Sequence, residues 1–133
     1  MEEALTILKE KEITHGLIEL RSDNILTFKP DVATFKDYSL EVFKDLLEVF
    51  LVMTDGTPRP YLCDNTYVTG IVDKKALAFM NEHFPRFATK AAMITNSPVT
   101  KVIISTYNAV FKPKVSFKLF TSEEAAVKWL LKG

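Results

Sequence analysis

The sequence predicts an α/β fold: a mixed β-sheet with an antiparallel start and a parallel second half, covered by four helices in the order β-β-β-α-β-α-β-α-β-α. Three observations carry this. The stretch before Pro30 holds short apolar runs broken by turn residues and shows no helical period. From Thr34 onward, segments with apolar residues at steps of three or four alternate with short apolar runs. The chain then closes on a strand followed directly by a helix start, Phe120-Thr121-Ser122-Glu123-Glu124. Strands that alternate with helices imply parallel pairing through helical crossovers. No repeat, linker or low-complexity segment divides the chain, so residues 1–133 read as a single domain.

Residues 4–9 alternate Leu5 and Ile7 with Thr6 and Leu8, and residues 13–20 alternate through Leu17, Ile18 and Leu20. Ser22-Asp23-Asn24 supplies turn chemistry, because Asp and Asn tolerate left-handed geometry and bond their own backbone. Residues 25–28 return as a third strand, stopped at Pro30. Thr34-Phe35-Lys36-Asp37 has capping-box spacing and opens a helix that Asp55-Gly56 ends. Its stripe runs through Phe35, Tyr38, Val42, Leu46, Val49 and Met53, widened by Phe43, Leu47 and Phe50, and so packs on a sheet.

Pro58-Arg59-Pro60 leads into the strand Tyr61-Leu62-Cys63-Asp64. Asp73 caps a helix over residues 74–83, with Ala76, Leu77, Met80 and Phe84 inward and Pro85 beyond its end. Ala91-Ala92-Met93-Ile94 is an uninterrupted apolar run, the mark of a strand covered on both faces. Ser97-Pro98 starts the next helix, whose spacing runs Val99, Val102, Ile103, Tyr107, Val110 and Phe111 until Pro113. Val115, Phe117 and Leu119 then alternate as the last strand. Thr121 caps the final helix, Glu124 completes the box, Phe120 staples Ala125, and Trp129 packs on the sheet.

Apolar residues make up 47% and charged residues 26%, which places the chain among packed proteins rather than disordered ones. Seventeen basic side chains balance seventeen acidic ones, so no global field draws in nucleic acid or an anionic membrane. The single cysteine, Cys63, has no internal disulfide partner and sits in an apolar run, as a buried, inert thiol would. The acidic start Met1-Glu2-Glu3 lacks the pattern of a secretion signal, and no apolar run reaches the length of a membrane span; the expected setting is cytoplasmic.

In parallel sheets, ligands bind beyond the carboxyl ends of the strands. The polar loops there carry Asp64, Asn65, Thr66, Thr69 and Gly70, then Asn96 and Ser97, and Asp73 begins the following helix. Both loops feed helix N-termini, where free N–H groups favour negative charge. These are also the residue types that turns and caps require. No glycine-rich phosphate loop, nucleophile elbow or paired acid–base set is present. His15 and His83 lie far apart without metal-ligand spacing. Neither a cofactor nor a metal is expected. Lys101, Lys112, Lys114 and Lys118 form a modestly basic region with the character of a solvated face, without the patterns of nucleic-acid readers. Tyr67, Tyr107, Phe111 and Phe117 are candidates for exposed apolar surface that would serve a homodimer or protein partner.

Pro60-Tyr61-Leu62-Cys63-Asp64, the loop to Gly70, Ala91-Ala92-Met93-Ile94-Thr95-Asn96-Ser97-Pro98, Phe111-Lys112-Pro113 and Phe120-Thr121-Ser122-Glu123-Glu124-Ala125 with Trp129-Leu130 together resemble the SpoIIAA-like branch of the STAS domains. In particular they look like a bacterial group of uncharacterised STAS-like proteins. The resemblance implies a small, non-enzymatic α/β regulator that binds proteins, of the anti-sigma-antagonist type. In that type a phosphorylated serine starts the helix after the strand aspartate. Asp64 matches that aspartate and Asp73 falls near the serine position. This chain departs there: it has no Asp-Ser-Ser-Gly, and the nearest hydroxyls are Thr66 and Thr69. SpoIIAA-like domains are also grouped with Sec14-like proteins, which implies the alternative of a carrier for a small apolar ligand or lipid. That alternative requires an apolar cavity between the first helix and the sheet.

Overall fold

The computed structural model describes residues 4–67, 73–111 and 113–132, without the side chains of residues 110 and 111. Among them are β1 (Ile7–Ile13), β2 (Gly16–Arg21), β3 (Leu26–Pro30), α1 (Leu40–Thr54) and β4 (Arg59–Asp64). Then follow α2 (Lys74–Phe87), β5 (Ala88–Ile94), α3 (Pro98–Phe111), β6 (Phe117–Phe120) and α4 (Glu123–Leu131). This is the expected order.

The strands lie side by side in sequence order from β1 to β6. β1, β2 and β3 pair antiparallel; β3 to β6 pair parallel. Every parallel connection therefore steps one strand in the same direction. Right-handed crossovers repeated in one direction deliver their helices to one face. Accordingly, Leu46 and Phe50 of α1, Met80 and Phe84 of α2, and Ile104 and Tyr107 of α3 share one core with Phe28, Tyr61 and Met93. α4 covers the opposite face alone, packing Ala126 and Leu130 on Ile25, Leu62, Ala92 and Ile94. Burial of β5 on both faces follows: residues 91 to 94 are all buried.

Several boundaries depart from the local signals. The first hairpin turns at Thr14 and His15, so the strands expected over 4–9 and 13–20 lie at Ile7–Ile13 and Gly16–Arg21. Gly16 (φ +153°) sets that turn, since a Cβ there would come within 2.2 Å of the Lys29 carbonyl oxygen. β1 runs beyond its expected end at Lys9 on an alternation of charge, Lys9-Glu10-Lys11-Glu12, along an exposed edge.

The first helix begins at Ser39, whose Oγ accepts from the Val42 N–H at 3.3 Å, and not at Thr34. The Thr34 hydroxyl instead donates to the Thr14 carbonyl at 2.9 Å, and Asp31 Oδ1 accepts from the Ala33 and Thr34 N–H groups. Phe35 and Tyr38 consequently stand before the helix, with their rings 4.7 Å apart. The stop is as expected: Asp55 adopts φ 53° and Gly56 φ 76°.

Pro85 lies inside α2, not beyond it. It sits exposed in the last turns, and burial of Phe84 and Phe87, worth about 1.5–3 kcal/mol each, offsets the hydrogen bond that proline removes. In α3 the buried face runs through Thr100, Ile104 and Tyr107, while Val99 and Val102 point to solvent. Tyr107 is therefore core and not the exposed surface expected from the sequence. The last helix is capped by Ser122, which accepts from the Ala125 N–H, one residue beyond Thr121. Trp129 is half-buried, 5.7 Å from Phe120 and under the Lys90 ammonium at 4.9 Å.

Candidate functional site

Parallel pairing brings the ends of β4, β5 and β6 to one edge of the sheet. The Asn65 N–H donates to the Ile94 carbonyl at 2.9 Å, and the Thr95 N–H donates to the Phe120 carbonyl at 3.0 Å. The loops after β4 and β5 are thereby held side by side, where the sequence expectation placed them.

Beneath them lies a buried polar cluster. The Tyr38 hydroxyl donates to Asn65 Oδ1 at 2.5 Å and lies 2.9 Å from Cys63 Sγ. The Asn65 amide reaches Met93 Sδ at 3.3 Å. Asn65 is only 2% exposed, so its bonds are shielded from water and anchor the base of the loop. Burial pushes the Cys63 thiol up to about 12 and holds the Tyr38 and Tyr61 phenols well above their usual range. All three groups are protonated at neutral pH. Cys63 is a buried thiol without nucleophilic character, in line with the sequence expectation.

The remaining predicted residues work locally. Asp64 Oδ1 accepts from the Thr66 N–H at 3.0 Å and from the Thr66 hydroxyl, closing an Asx turn. Asp73 Oδ2 caps α2 by accepting from the Lys75 and Ala76 N–H groups, and its own N–H donates to the Tyr38 carbonyl at 3.2 Å. Ser97 Oγ caps α3 by accepting from the Thr100 N–H, while the Ser97 N–H donates to Thr95 Oγ1. Asn96 is exposed at the same edge. The structure thus gathers Asp64, Asn65 and Thr66 beside Asn96 and Ser97, and ties Asp73 to them through Tyr38. Thr69 and Gly70 lie outside the described residues.

Sequence reasoning missed Tyr38 and Met93 as parts of this edge. Tyr38 read as one more apolar position of a helix, and no local pattern signals a partner 27 residues away. At the surface, Tyr67 is 70% exposed, with the Lys29 ammonium 5.9 Å from its ring centroid. Phe117, grouped with it as candidate exposed surface, is half-buried, and the Phe111 side chain lies outside the described residues.

Between the three helices and the sheet is an apolar cavity of about 20 Å³, lined by Tyr38, Tyr61, Cys63, Met80, Met93 and Ile104 among others. That is room for about one water, far below the ~300 Å³ at which ligand pockets begin. His15, in the first hairpin turn, bonds Asp45 of α1 at 2.9 Å, and the His83 ring lies 4.4 Å from that of Phe79 within α2. Among the described residues, no group of three or more His, Cys, Asp or Glu is placed to hold a metal ion. Nor is any helix there long and apolar enough to cross a membrane.

A family model described as a domain of unknown function (DUF7793) matches residues 18–132. No curated protein matches the chain. Among solved structures, it is similar to an uncharacterised protein from the DUF3478 family with a SpoIIAA-like fold, from Shewanella loihica PV-4. That likeness covers 98% of each chain at a TM-score of 0.54 and 18% identity. At this identity it speaks for the fold alone: the chain has a SpoIIAA-like fold, as its resemblance implied.

Proposed function

We propose that this chain, which belongs to the DUF7793 family, is a non-enzymatic, SpoIIAA-like regulatory module that binds another protein through the carboxyl-terminal edge of its parallel strands. The contact surface in this reading is the loop from Asp64 through Thr66, Thr69 and Gly70 to Asp73, flanked by Asn96 and Ser97. One observation carries it. Tyr67 stands 70% exposed on a loop whose base, Asn65, is locked into the core by Tyr38 and Met93. An exposed aromatic ring on an ordered base gives contact area at low ordering cost, which is what protein–protein anchors require.

Other features support the same reading. Asp73, which falls near the position of the phosphorylated serine in anti-sigma antagonists, accepts with its carboxylate from two backbone N–H groups and serves here as a helix cap. The thiol and phenols near the edge are held neutral by burial, which leaves them without nucleophilic character. A cavity of about 20 Å³ offers no chamber for the lipid or apolar ligand that a Sec14-like carrier would hold.

The test is site-specific photocrosslinking in the native cells, with benzoylphenylalanine in place of Tyr67 and, as control, of Val52, which is 73% exposed on α1. The expected result is a discrete adduct with another protein from position 67 and none from position 52. Equal adducts at both positions, or none at 67, overturn the assignment. An adduct of twice the chain mass identifies a second copy instead.

A further inference from the structure

We infer that the open edge of β6 is a docking groove for an extended, acidic peptide segment of a partner protein, added as a strand beside Leu119. The ladder fixes which backbone groups are available. The Ala91 N–H donates to the Ser116 carbonyl and the Thr95 N–H to the Phe120 carbonyl. Residues 116, 118 and 120 therefore bond β5, and Phe117 and Leu119 turn their N–H and C=O outward. The Phe117 carbonyl is already occupied: Asn108 of α3 donates its amide to it at 3.0 Å, standing where an added strand would. Among the described residues, no hydrogen bond occupies the outward N–H and C=O pair of Leu119. One residue offering both groups is the narrow pair of an antiparallel ladder, the unit by which a strand is added.

The surroundings fit an extended peptide. Leu119 and Phe120 form the floor of an open groove of about 420 Å³, walled by Lys101 and Ser105 of α3 and by Thr121 and Ala125 at the start of α4. The charged residue that lines it is basic, Lys101, and Lys118 leans on the Phe120 ring of its floor at 5.6 Å. Neither lysine makes an ion pair among the described residues. Glu123, at the first turn of α4, is turned away toward Arg21 at 3.6 Å. An unneutralised basic rim around free main-chain groups is complementary to a strand with acidic side chains.

The opposite edge is built differently. β1 alternates Lys9, Glu10, Lys11 and Glu12, and its register shifts between Ile7 and Lys9, which are devices that discourage added strands. The β6 groove adjoins the edge proposed above through Phe120, whose carbonyl accepts from the Thr95 N–H. Binding in this groove does not involve Tyr67, so the peptide titration and the photocrosslinking are decided independently.

The experiment is a titration of the ¹⁵N-labelled protein with an acetylated peptide of alternating glutamate and valine, followed by amide shifts and hydrogen exchange. Two control peptides are run: alternating lysine and valine, and the glutamate peptide with N-methylated valines. The expected result is that the glutamate peptide shifts the Leu119 amide and slows its exchange, while neither control does. The double variant Lys101→Glu, Lys118→Glu changes exposed side chains only, and is expected to weaken binding by about tenfold. Shifts centred on β1, equal effects of the glutamate and lysine peptides, or binding unchanged in the double variant would each overturn the proposal. So would a protected Leu119 amide without peptide that grows with protein concentration, because the occupant would then be a second copy.

Discussion

Asn65 shows how one side chain turns a polar loop into an ordered surface. A buried amide must find partners, and here they come from a tyrosine before α1 and a methionine on β5. The same burial makes the cluster sensitive to alkali. Cys63 rises from its usual 9.0 to about 12 in the fold, so an unfolded chain releases that proton first. The folded state then holds more protons between those values, and stability falls as pH rises through that window while staying flat below it. Tyr38 and Tyr61, raised above their usual 10.0, steepen the loss at its upper end. Thermal unfolding is therefore expected to be level from neutrality to about pH 9 and to decline above it. Cys63→Ala is expected to move the onset up toward the tyrosine range. Folded protein at about pH 8 should also resist a thiol reagent that labels the denatured chain at once; rapid labelling of the native state would refute a sealed cluster.

At the scale of elements, caps and stops were legible and their register was not always so. Asp73 before α2, Ser97 before α3 and Asp55-Gly56 after α1 were read correctly because each acts on N–H or C=O groups within a few residues of itself. The caps expected at Thr34 and Thr121 fall instead to Ser39, several residues further on, and to Ser122, the next residue, because only chain geometry decides which of several hydroxyls meets the free N–H groups. The difference is measurable. Ser39→Ala is expected to cost about 1 kcal/mol in urea unfolding through loss of the α1 cap, and Thr34→Ala less than about 0.5 kcal/mol as an exposed substitution. The reverse ranking would place the helix start at Thr34 after all. The bounds of β1 shifted for a related reason: an edge strand needs only a partner to complete its ladder, so it runs on from Lys9 to Ile13 through charged residues without apolar alternation.

For the whole molecule, the sense of the crossovers is decisive. Three steps in one direction send α1, α2 and α3 to one face and leave α4 to cover the other. The sheet therefore separates two packed layers, and coupling between residues should respect that division. Ile94→Val is expected to cost about 0.5–1.5 kcal/mol and Leu130→Ala about 2–4 kcal/mol. Because both belong to the α4 layer, a double-mutant cycle should show coupling of at least about 0.5 kcal/mol. Ile94→Val combined with Leu46→Ala, across the sheet, should be additive within that margin. Coupling of equal size in both cycles would contradict the two-layer description.

By itself the sequence determined the order of strands and helices, the change from antiparallel to parallel pairing, most stops and the edge at which loops would meet. Those follow from periodicity, proline, glycine and short polar side chains, which act over a few residues. Only the tertiary structure decided that Tyr38 meets Asn65, that three helices share one face, and that Asn108 closes half of an open edge while Leu119 keeps the other half. Each of those depends on partners brought together by the handedness of crossovers and the register of the sheet. No local residue pattern encodes them.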